Sequence, residues 1–104
     1  MKILLDECVP WPLRHLLGHH DSASVQGQGW SGLQNAELLR RAAEHFDLFI
    51  TTEQAIGGQN VTNAPIAILE LSTNDIRRIR SSAPGIMLQI SSIQPGEHRK
   101  LVIN

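Results

Sequence analysis

The chain has 104 residues, 41% of them hydrophobic, with two Phe, two Trp and no Tyr, enough for one domain with a single aliphatic core. No apolar run approaches the ~18–20 residues of a membrane-crossing helix, and Asp6 and Glu7 interrupt the opening apolar stretch too early for a signal peptide. The lone Cys8 allows no internal disulfide and suits a reducing cytoplasm.

Along the chain, strand and helix signals alternate. Lys2 to Leu5 is short and apolar and reads as a buried central strand. Pro10 and Pro12 suit the first turn of a helix, whose apolar face is Leu13, Leu16 and Leu17 and whose stop is Gly18. Ala23 to Gln26 gives a short second strand, and Gly27, Gly29 and Gly32 make a flexible connection around Trp30. Asn35 is a good N-cap for a helix carrying Leu38, Leu39, Ala42 and Ala43. Leu48 to Thr51 is the next buried strand, and a loop rich in Gly and Asn leads to another at Ile66 to Leu71. Helical stretches follow from Asp75 to Arg80 and from Pro84 to Ile93; Pro95-Gly96 then turns into a last strand near Arg99 to Ile103. Strands alternating with helices imply a mainly parallel sheet covered on both faces, with residues 2–5, 48–51 and 66–71 as neighbours. No internal repeat, linker or low-complexity tract divides residues 1–104, which read as one domain.

Three of these segments end or begin in carboxylates. The first strand runs into Asp6-Glu7, the second helix opens with Glu37, and the Leu48 strand runs through Thr51-Thr52 into Glu53. Ligands of open parallel sheets bind at the carboxyl ends of strands where the winding reverses. Acids at two strand ends and one helix start therefore suggest a hard-cation site, suited to Mg²⁺ or Mn²⁺ rather than zinc. Charge is also divided: residues 1–74 hold four Lys/Arg against eight Asp/Glu, residues 75–104 five against two. An acidic site beside a basic face suits a nuclease, although ordinary charged surfaces show such imbalances too.

The opening MKILLDECVP, the segment GWSGLQNAELLRRAAE, the strand FITTE and the later IAILELSTN occur in this order. Together they resemble the compact PIN-like proteins of the domain of unknown function 5615 group. Those are small relatives of the PIN-domain ribonucleases, which include the toxins of VapBC-type toxin–antitoxin pairs and the Mut7-C group. The resemblance implies a three-layer α/β/α PIN-like sandwich with the first strand central. By position, Asp6 matches the first acid of PIN nucleases, Glu37 the helix-borne acid and Glu53 the acid of the Thr-x-Asp-like element. Glu7 is the residue commonly found beside the first acid. Two departures stand out: the third acid is usually Asp, and Gln54 to Asn63 offers no fourth one. The implied activity is metal-assisted hydrolysis of RNA phosphodiester bonds by a toxin paired with a small antitoxin protein. The alternative is a PIN-like domain without catalysis that binds a protein partner or RNA. A receiver-like signalling domain would need an acceptor Asp and a Lys at later strand ends, and no Lys lies between Lys2 and Lys100.

Other side chains carry two readings each. Thr51 and Thr52 can hydrogen-bond a phosphate or the acids, or simply favour a strand. Arg77, Arg78 and Arg80 can contact an RNA backbone or form a solvated helix face. Trp30 can stack on a base or pin its loop by packing. Cys8 reads as structural before it reads as a nucleophile. The five His show no zinc-ligand spacing, and the glycines around Trp30 precede no Lys-Ser/Thr of a phosphate loop. Ile86, Met87, Leu88, Ile90 and Ile93 exceed one helix face, so a second copy or a partner is expected to cover part of them.

Overall fold

Parallel strands cannot be joined by hairpins, so each must be reached by a crossover, usually helical. The computed structural model, which describes residues 1–52 and 66–103, shows that solution. Strands β1 (Lys2–Leu5), β2 (Asp21–Ser24), β3 (Leu48–Thr51), β4 (Ala67–Leu71) and β5 (His98–Leu101) form one sheet in the order β2-β1-β3-β4-β5. Every neighbouring pair is parallel. A 3₁₀ helix (Trp11–Leu16) joins β1 to β2, and α1 (Asn35–His45) joins β2 to β3. Helices α2 (Ile76–Ser81) and α3 (Ala83–Ser92) lie between β4 and β5. None of these described helices is long and apolar enough to cross a membrane.

Alternation along the strands divides the core in two. Ile3, Leu5, Leu48, Ile50 and Leu69 pack with Leu13, Leu17, Ile79, Ile86 and Ile90, so one face carries the 3₁₀ helix, α2 and α3. Leu4, Phe49, Ile66 and Ile68 pack with Val25, Leu38, Leu39 and Ala42, so the other face carries α1. The two-sided burial expected of the apolar strands is therefore present, and β1 and β3 are adjacent as the sequence implies.

Four local expectations need correction. The second strand begins at Asp21 rather than Ala23, because pairing with β1 (Lys2 opposite Asp21, Leu5 opposite Ser24) defines it, not its own side chains. The last strand begins at His98, opposite Ile68, for the same reason. The first helix is a six-residue 3₁₀ helix that ends at Leu16, short of Gly18, with Pro10 as its N-cap and Pro12 in its first turn. Asn35 is the first helical residue of α1; Gln34 is the N-cap and makes no side-chain capping bond. Asp75, by contrast, caps α2 by accepting the Arg77 N–H at 2.9 Å.

The apolar face of α3 also differs from expectation. Ile86, Ile90 and Ile93 are buried within the monomer in the cluster that holds Leu13, Leu17, Ile79 and Ile103, with Met87 at its margin. Leu88 alone of the five stands out, 67% exposed. No second copy is needed to cover that face. Ile90→Ala is expected to cost about 2–5 kcal/mol and Leu88→Ala no more than about 0.5 kcal/mol. Urea denaturation measures both, and comparable losses would contradict this assignment of the face.

Candidate functional site

The chain places β2 on one side of β1 and builds β3, β4 and β5 outward on the other. The winding thus reverses between β1 and β3, and the crevice at their carboxyl ends is the expected ligand position. Asp6 and Thr51 meet there. The Asp6 amide donates to the Ile50 carbonyl at 3.0 Å, extending the ladder one residue beyond β1. Its carboxylate is therefore held against the sheet, and Asp6 is only 9% exposed.

A desolvated carboxylate needs donors. The Thr51 hydroxyl donates to Asp6 Oδ2 at 2.7 Å and the Glu7 amide to Oδ1 at 2.8 Å. The half-buried Cys8 thiol donates to Oδ2 at 3.5 Å, while the Thr52 amide donates to Cys8 Sγ at 3.5 Å. These bonds lock Asp6, Cys8, Thr51 and Thr52 into one constellation spanning the switch point. Cys8 belongs to this local network, which favours its structural reading over nucleophilic attack.

Beside Asp6 lies an open cavity of about 350 Å³ lined by Glu7, Trp30, Gly32, Gln34, Asn35 and Leu38, among others. Gly32 has φ +87°, a conformation that L side chains rarely adopt, and so it turns the loop down onto the N-terminus of α1. The cavity thus has two carboxylates on one side and the positive end of a helix on the other.

Glu37 does not line it. Both Glu37 oxygens accept from Arg40 at 2.7 Å, and Arg41 Nε adds a contact at 3.3 Å, all on the outer side of α1. Arg40, then Arg41, hold the Glu37 carboxyl below its ordinary range. Glu53 lies outside the described residues, as does the stretch from Gln54 to Asn63. Among the described residues no three His, Cys, Asp or Glu side chains form a group that could hold a metal ion.

The arginines are likewise apart from Asp6. Arg77 and Arg78 each lie 3.9 Å from the Asp75 carboxylate and, with Ser81, border a separate cavity. Their helix packs through Ile79 on the face opposite α1. Arg80 is exposed. The basic end of the chain is also largely engaged internally: Arg99 donates to Glu97 at 2.6 Å and to Ser92 Oγ at 2.6 Å.

One carboxylate emerges only from the structure. Glu70, 4% exposed, sits on β4 opposite Thr51 on one side and Lys100 on the other. Lys100 Nζ lies 3.7 Å and His98 Nε2 3.5 Å from its oxygens. The available signal was an acid inside an otherwise apolar strand, but its partners are set by β5 register.

Comparison of the chain with protein-family models, with curated proteins and with solved structures gave no match. The resemblance to the PIN-like group rests on the sequence segments given above.

Thr51→Val keeps the shape and removes the shortest bond to buried Asp6. It is expected to cost about 1–3 kcal/mol in urea denaturation; a neutral result would contradict the clamp. Glu37→Gln tests the arginine fork by pH. A carboxyl whose pKa is depressed on folding contributes stability above its unfolded value of about 4.5 and loses it as pH falls through the folded value. Glu37→Gln should therefore be slightly less stable than wild type at neutral pH. The difference should vanish in acid and shrink in high salt, since the pair is solvent-screened.

Proposed function

We propose that the chain is a PIN-like domain, a three-layer α/β/α sandwich, that hydrolyses RNA phosphodiester bonds with a divalent cation. The observation that carries this is the Asp6 carboxylate, fixed by Thr51 and the Glu7 amide at the winding switch point beside an open polar cavity. Its donor set suits Mg²⁺ or Mn²⁺. Two carboxylates, Asp6 and Glu7, border the cavity, and Mg²⁺ commonly needs only one or two plus water and substrate oxygens. Three donors already occupy Asp6, and a carboxylate has about four acceptor positions, so Oδ1 retains one. A bound ion would supply positive charge to the phosphate and make the attacking water more acidic.

The chain's own groups do the rest. Thr51 and the Glu7 amide hold Asp6 so that the carboxylate is already oriented when substrate arrives. Glu7, exposed and longer-armed, supplies a second oxygen donor at the cavity rim. Glu53 follows Thr52 directly in sequence and, by the resemblance, supplies the third acid. Trp30, Gln34 and Asn35 bound the cavity on the side a nucleic-acid strand would cross. The fuller assignment, a cytoplasmic toxin paired with a small antitoxin protein, belongs to the same proposal and draws on the resemblance.

A second reading is favoured by Glu37. Its carboxylate is held by Arg40 rather than facing the cavity. A PIN-like domain without catalysis, binding RNA or a protein partner, would leave it so.

The two readings separate in one experiment. Asp6→Asn is expected to abolish Mg²⁺- or Mn²⁺-dependent cleavage of single-stranded RNA while circular dichroism shows an intact fold. Metal should raise the melting temperature of the wild type and not of the variant, because a ligand stabilises only the state that binds it. A wild-type protein that binds no divalent ion at millimolar concentration and cleaves no RNA would leave the binding module as the better account.

A further inference from the structure

Trp30 lines two cavities. One is the acid cavity at Asp6; the other, of about 340 Å³, is bounded by Trp30, His45, Phe46, Lys2, Asp21 and Gln28, among others. The second falls in the ~300–1,000 Å³ range of small-ligand sites. Its wall is aromatic: the Trp30 ring centre lies 6.1 Å from Phe46, nearly perpendicular at 86°, and 6.2 Å from His45, tilted by 32°. Phe46 and Trp30 both pack on the α1-side core, which anchors this wall.

Its polar groups sit on the same face. Lys2 and Asp21 are register partners, and Leu4, two residues beyond Lys2, faces α1. Strand alternation therefore sends Lys2 and Asp21 toward Trp30. The side chains of Lys2, Asp21 and Gln28 make no hydrogen bond or ion pair with another described residue. The cavity thus offers a cation, an acceptor-only carboxylate and an amide around a π surface.

The geometry points to a nucleobase-binding subsite: an unpaired base of single-stranded RNA stacks on Trp30, with Lys2 toward phosphate and Asp21 and Gln28 toward the base edge. Stacking on an aromatic ring needs no particular base, whereas acceptor-only Asp21 favours bases with exocyclic amino groups. Because Trp30 also borders the Asp6 cavity, and Asp6 follows Lys2 by four residues along one strand, about 13 Å, a strand crossing the indole runs on toward the carboxylates. The subsite presupposes the hydrolase reading only in its substrate class; base binding itself needs neither metal nor cleavage.

Binding is measured without metal, in chelator, so it is separated from chemistry. With Trp11→Phe as background, Trp30 becomes the sole tryptophan reporter. Nucleoside monophosphates should quench it saturably, a single-stranded hexamer should bind tighter than a monophosphate, and a duplex of the same sequence should not compete. By anisotropy of a labelled hexamer, Trp30→Leu should weaken binding about tenfold or more. Lys2→Met and Asp21→Asn, at exposed positions that spare the fold, should each weaken it about threefold, and Asp21→Asn should also change the preference among the four nucleotides. Absence of saturable quenching, equal duplex binding, or wild-type affinity in all three variants would overturn the subsite. Binding without metal-dependent cleavage would reject the hydrolase and leave the subsite standing. Cleavage with wild-type KM in Lys2→Met and Asp21→Asn would do the reverse.

Discussion

The hydrogen bond from Thr51 to Asp6 is the contact on which the site depends, because it satisfies a buried carboxylate at the point where two core strands end. Strands β1 and β3 are buried on both faces, so their side chains are apolar through Leu5 and Ile50. At the next position each chain must become polar or lengthen the core. Register places those positions side by side, and the backbone bond from Asp6 to Ile50 holds them there. A carboxylate in that setting is costly unless donors reach it. The neighbouring strand provides the hydroxyl, and the turn into the 3₁₀ helix provides the Glu7 amide and the Cys8 thiol. The sheet's topology and the orientation of Asp6 are therefore one arrangement.

Much of the sheet was readable from the chain because burial on both faces forces unbroken apolar runs, and Ile3 to Leu5, Leu48 to Ile50 and Ile66 to Leu69 all have them. Elements defined by pairing rather than composition were harder to read. β2 is Asp-Ser-Ala-Ser, with no apolar signature, and exists because β1 offers it an edge. The face of α3 was misjudged because counting apolar residues does not reveal how many neighbours surround a helix. Here the 3₁₀ helix, α2 and Ile103 together cover more than one stripe.

At the candidate site, the held position of Asp6 was legible for a simple reason: an acid directly after a buried strand must be compensated by something specific. Glu37 was read as a site acid although the arginines that pair with it were in view. Arg40 and Arg41 follow it at three and four residues, the spacing at which a helical Glu meets its cation, and the local pair forms without any tertiary help. Glu70 was the converse case. Its partner Lys100 lies thirty positions away and becomes adjacent only through β4–β5 pairing.

That pair changes what the charge split means. Arg99 and Lys100 pair with Glu97 and Glu70. The arginines of α2 face away from the α1 side of the sheet, where Asp6 lies. A polyanion approaching the Asp6 cavity therefore meets Asp6 and Glu7 first, and like charges at close range in a partly desolvated crevice repel strongly. Within the described residues that border the two cavities, Lys2 is the only lysine or arginine. In the proposed function, phosphate therefore settles beside Asp6 together with a cation, whereas a base settles on Trp30 without one. The proposed function thus divides substrate binding into a step that depends on a divalent ion and a step that does not, with the indole ring of Trp30, which borders both cavities, between them.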